Sequence, residues 1–170
     1  MSINIADISN KDIVEQINER FIWRNRMKKL TVLLREMKAL CHMYDDKTFS
    51  EPVSEEKISK WEKENGATLC DELKEFYSFT DGMDLCIFFS TFNICKLEEI
   101  ALKRGGVLGY ENSEHYKKIG TFVGDGSVLC VDKNYNFCCA YHGMDIEEAS
   151  LTFLIEEELE ALKERIEEEE

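Results

Sequence analysis

Cys138, Cys139 and His142 stand within one five-residue stretch, and Cys41 and His42 are adjacent. Soft thiolate and imidazole ligands so close together raise the question of zinc. A structural zinc site needs paired ligands at two-to-four-residue spacing, twice over, and the chain has no Cys-x-x-Cys. In an extended strand Cys138 and Cys139 point to opposite faces, so they cannot share an ion. Neither a metal nor a cofactor is implied. Nucleophilic catalysis is equally short of parts. The histidines are His42, His115 and His142, none in a recognisable Ser, Cys or Asp arrangement, and Gly-x-Ser-x-Gly is absent. Gly105-Gly106 and Gly124-Asp125-Gly126 lack the dinucleotide spacing and the P-loop lysine. They read as a helix stop and a strand turn. No residue is assigned a catalytic role; a Cys/His pair meeting in space remains the enzyme alternative.

The remaining chemistry is charge. The 170 residues carry 21 Lys and Arg against 35 Asp and Glu, a net charge of −14. Such a chain repels nucleic acid and anionic lipid and attracts basic proteins. That charge exceeds the magnitude of about 2–8 that solubility alone asks of a small domain. It is uneven: residues 1–44 hold eight basic and five acidic side chains, while 156–170 hold nine glutamates against Lys163 and Arg165. Acidic residues beside the turns, Asp81, Asp84, Asp125 and Asp132, are candidate contacts for a basic partner. Tyr110, Tyr135 and Tyr141 are candidate aromatic anchors.

The elements that position these residues follow from hydrophobic period and caps. Ile13, Ile17, Phe21, Trp23, Met27, Leu30, Leu34, Met37, Cys41 and Tyr44 recur at steps of mostly three and four, which predicts a long amphipathic helix. Arg20, Arg24 and Lys28 form a basic stripe on it. Asp45–Pro52 is a polar break with the only proline. It divides an N-terminal helical extension, residues 1–50, from a domain over 51–170. Ser54 caps a helix that carries Ile58 and Trp61 and ends at Gly66. A second helix runs from Asp71 with Leu73, Phe76, Tyr77 and Phe79 inward, stopped at Asp81-Gly82. Leu85–Phe89 reads as a strand that Thr91–Ile94 continues after a bend. Lys96–Arg104 reads as a helix. Ile119–Val123, Ser127–Asp132 and Asn136–Tyr141 read as strands whose short turns require antiparallel pairing. Ser150 caps a last helix with Leu151, Leu154, Ile155, Leu159, Leu162 and Ile166 inward. The acidic end, Glu167–Glu170, is solvated or lies along the basic stripe. The class is α+β: helices on a central antiparallel sheet of about four to six strands, with a long N-terminal and a C-terminal helix.

Between Ser54 and Gly82 the pattern resembles the opening of the SUKH superfamily, which includes the SMI/KNR-type domains. That pattern is a helix with a glutamate ending in glycine, here Glu62 and Gly66. A leucine-proline pair then starts a second helix, which ends in asparagine-glycine. Leu69 and Gly82 match, whereas Cys70 replaces the proline and Asp81 the asparagine. Ile119-Gly120, Gly124-Asp125-Gly126 and Leu129–Asp132 resemble the family's strand, glycine turn and strand. The resemblance covers roughly 54–162. It implies a binding scaffold of the bacterial immunity type, a protein that neutralises a cognate toxin, often a nuclease, and it carries no catalytic residues. The expected partner is a basic protein such as a toxin domain, with no nucleic acid and no membrane, the chain itself being a monomer or weak dimer. The odd count of seven cysteines, mostly in apolar runs, and the lack of a secretion signal place it in the cytoplasm. A regulatory or scaffold protein is the other binding alternative.

Overall fold

The computed structural model describes residues 29–44, 47–85, 90–103, 105–107, 110, 113–122, 127–142 and 144–169. The first half of the expected N-terminal helix, the Arg20/Arg24/Lys28 stripe, Cys86 and most of the Leu85–Phe89 run, Asp125 with its glycine turn, and Glu170 lie outside these residues.

Among the described residues five α-helices and six strands follow in the order α1 (Leu30–His42), α2 (Glu55–Asn65), α3 (Asp71–Phe79), β1 (Met83–Leu85), β2 (Phe92–Ile94), α4 (Leu97–Leu102), β3 (Lys117–Thr121), β4 (Val128–Val131), β5 (Phe137–Ala140), β6 (Glu147–Glu148) and α5 (Leu151–Glu169). The helix α1 buries Leu30, Leu33, Leu34, Met37 and Cys41, the stripe expected from its period. A short-range cap starts α2, where Ser54 Oγ accepts the Lys57 N–H at 3.3 Å. Gly66, at φ 58°, ends it in the left-handed region that glycine adopts without strain.

Two carboxylates tie helices together. Glu75 of α3 accepts the Thr31 N–H at 2.8 Å and its hydroxyl at 2.6 Å, in the first turn of α1. Glu72 accepts the N–H groups of Leu151 and Thr152, at 2.9 and 3.0 Å, and the Ser150 hydroxyl at 2.8 Å. The expected cap Ser150 in turn accepts the Phe153 N–H at 3.2 Å. A carboxylate on the first N–H groups of a helix satisfies donors that have no partner within the helix, and it opposes the helix dipole.

The sheet is one antiparallel meander, each strand paired with the next. Phe92–Ile94 turns back on Met83–Leu85 as a separate strand, with Met83 opposite Ile94, so it does not continue the first strand past a bend. The pair Glu147–Glu148 forms an edge strand on β5. Two glutamates carry no strand propensity, so nothing in the sequence marks it. Between Lys118 and Gly120 the β3–β4 register slips by one residue. A Cβ at Gly120 would stand 1.9 Å from the Asn93 carbonyl oxygen, so this position admits only glycine unless the backbone moves.

One face of the sheet, with Met83, Leu85, Phe92, Ile94, Ile119, Leu129, Val131 and Phe137, packs on the helices in the main core. The other face bears a smaller cluster of Val128, Cys130, Cys138 and Ala140, covered by Val107, Tyr110, Tyr116 and Ile146.

Candidate functional site

That second cover reaches only the β4–β5 half of the outer face. Beside it lies an open cleft of about 710 Å³, lined by the β1, β2 and β3 strands, the segment before β1 and the turn around α4. Its volume is within the range of small-ligand sites, about 300–1,000 Å³. Lys47, Lys96, Lys103 and Lys118 line it, together with Asp81, Asp84 and Glu99. Asp81 accepts the Leu97 N–H at 2.9 Å and so starts α4. This is the local work of the residue that stands in for the family-pattern asparagine. Asp84 is exposed on β1, opposite Asn93. Both expected acidic contacts of this region therefore meet in one place. No local pattern groups the lysines around them, because three parts of the chain supply them: the segment before β1, the two ends of α4, and β3.

The other expected contacts fall into two further groups. Asp132 accepts the N–H groups of Asn134 and Asn136, at 2.8 and 2.9 Å, and the Asn136 side-chain amide at 3.1 Å. Its carboxylate organises the β4–β5 turn, an Asx turn. Tyr135, in that turn at φ 61°, sets its ring edge-on to Trp61 with centroids 5.6 Å apart, and Lys117 Nζ lies 5.5 Å from its centre. At the opposite end of the strands, Tyr110 donates its hydroxyl to the Tyr141 carbonyl at 3.4 Å. Tyr141 is 46% exposed and packs edge-on against Phe122 at 4.9 Å. Burial, with Cys139 and Glu157 nearby, raises the Tyr141 hydroxyl pKa. Tyr141 thus stands as a half-exposed ring with acidic neighbours, the Glu147–Glu148 edge lying next to its own strand.

Burial favours the neutral thiol at Cys95, Cys130, Cys138 and Cys139. Burial pushes Cys138 up to about 12, helped by Asp132 and Glu148. Burial pushes Cys130 higher still. In the cleft wall burial lifts Cys95 to about 11 although Lys103 opposes the shift. A protonated thiol is a weak nucleophile. Cys138 is buried in the outer cluster, whereas Cys139 packs on the helical side, as strand alternation requires. His142 follows on an exposed turn, its backbone N–H donating to Ser127 Oγ at 3.0 Å. Among the described residues no group of three His, Cys, Asp or Glu is placed to hold a metal ion.

The family-pattern residues have structural roles. Glu62 accepts the Leu69 N–H at 2.8 Å and pairs with Lys74 at 3.1 Å, closing the α2–α3 corner. Cys70 is the residue before α3 rather than an early helical one. Its φ of −64° is one that proline adopts, and its N–H donates to the Tyr135 carbonyl at 3.4 Å. With cysteine in place of proline the corner thus gains a bond to the β4–β5 turn. No helix among the described residues is long and apolar enough to cross a membrane. Compared with known families, residues 52–165 match the SMI1/KNR4 family (SUKH-1). A search of curated proteins found no match.

Proposed function

The chain belongs to the SMI1/KNR4 family (SUKH-1), and on that premise we propose that it is a non-enzymatic, cytoplasmic immunity protein that binds and neutralises a cognate basic toxin, a nuclease being the leading class. The observation that carries this reading is the net charge of −14 on a scaffold whose described family-pattern residues Glu62, Gly66, Cys70 and Asp81 hold the fold. A nuclease is basic because it must hold phosphates, and opposite charge speeds encounter toward the diffusion limit at low salt. The high thiol pKa values support a binding role over covalent catalysis.

The contact surface best supplied with both charge and an anchor runs from Tyr141 to the exposed carboxylates Glu147, Glu148 and Glu157. A half-exposed aromatic ring set among charges is the composition of an interface hot spot with a polar rim. Co-expression of the full chain with a toxin domain encoded beside it is expected to restore growth and to yield a stable complex on purification. Continued killing with no complex overturns the reading.

A further inference from the structure

The cleft beside the outer-face cluster gathers four lysines against three carboxylates on a chain whose net charge is −14, and toxin binding does not account for it. Cys95 donates its N–H to the Ile119 carbonyl at 2.8 Å. This continues the β2–β3 pairing one step beyond Ile94 and Gly120. Lys96 follows, exposed and extended at φ −64° and ψ 152°, and lines the same cleft as the exposed Lys118 of β3. Like charges gathered in one cleft repel one another, and a bound anion would relieve that repulsion. Lys103, at the end of α4, lines the same cleft and acts on the Cys95 thiol against Glu99 and Asp81, and Lys47 completes the rim. Among the described residues Lys96, Lys103 and Lys118 form no ion pair. Of the three carboxylates in the lining, Asp81 already accepts the Leu97 N–H. The hydroxyl of Thr48, a residue of the cleft wall that is 2% exposed, finds no hydrogen-bond partner among the described residues.

We propose that this cleft binds a small polyanion bearing phosphate or carboxylate groups, held by Lys96, Lys103 and Lys118. The occupant is small because the chain's net charge repels an extended polyanion such as nucleic acid, whereas a local lysine cluster still attracts a compact one within a Debye length of about 10 Å. The inference is independent of the toxin reading and goes beyond it.

Calorimetric titration of the full chain with pyrophosphate and with citrate, at low ionic strength, tests it. Saturable binding of one or both is expected, and preference for one assigns the ligand to phosphate or to carboxylate chemistry. The triple variant Lys96→Gln, Lys103→Gln, Lys118→Gln is expected to lose about tenfold or more in affinity. Lys118→Gln alone, on an exposed strand position, loses less. The variant Lys57→Gln, Lys60→Gln, Lys63→Gln removes the same charge from α2 and is expected to bind as the parent does. Circular dichroism checks that each variant is folded. Absence of saturable binding, survival of binding in the cleft variant, or equal loss in the α2 variant overturns the proposal.

Discussion

The two faces of the sheet are built for different purposes. The inner face meets α1, α3 and α5 through large apolar side chains such as Phe76, Phe92 and Phe137, all nearly or fully buried. The outer face holds one small cluster of valine, cysteine and alanine, and beside it an open, charged cleft. Because burial of apolar area is the main stabilising term, the inner face holds the fold. The outer face and the sheet edges carry less of the core, so side chains there are replaceable at smaller cost.

Substitution in the two clusters breaks or sharpens that contrast. Phe76→Ala is expected to cost about 3–5 kcal/mol in urea unfolding. Val128→Ala, which removes two methyl groups at about 0.8 kcal/mol each, should cost roughly 1–2 kcal/mol. Equal losses would erase the distinction. Next in size is Glu72→Ala, which strips the α5 N-terminus of its acceptor and leaves the Ser150 hydroxyl without its partner. A loss of about 2 kcal/mol is expected, partly restored by Glu72→Gln. Gly120→Ala forces the β2–β3 backbones apart at Asn93 and is expected to cost about 1–3 kcal/mol, lowering the urea midpoint.

The smallest effect is pH-dependent and belongs to the outer face. Burial holds Cys138 up to about 12, above its ordinary 9.0, and Cys130 is held higher still. As pH rises past 9.0 the unfolded chain loses these protons first, so it binds fewer than the folded chain and stability falls. Their contribution is complete below that pH. The urea midpoint is expected to decline from about pH 9 toward about pH 12, and less steeply in Cys130→Ala/Cys138→Ala.

What the sequence made legible was local. Ser54 and Gly66 announce α2 because a cap and a left-handed residue act within one turn. The period of Leu30, Leu34, Met37 and Cys41 announces the buried face of α1. The strands β3, β4 and β5 are legible from apolar runs between turns. The edge strand Glu147–Glu148 exists only because β5 offers it a partner. The meeting of Lys96 and Lys118 in one cleft depends on strand pairing that no local pattern encodes. For the same reason the sequence names Asp132 as a candidate contact without showing that its carboxylate also organises the β4–β5 turn. Asp81 and Asp84 are legible as two of four acidic candidates beside turns, without the lysines that share their cleft.

The account's central claim, that the acidic exterior captures a basic partner, is tested most directly by stopped-flow association of the full chain with its toxin domain across ionic strength. The association rate is expected to fall roughly tenfold or more between low and physiological salt. The variant Glu147→Lys/Glu157→Lys should slow association further while leaving the chain folded. A rate indifferent to salt and to these reversals would contradict the account.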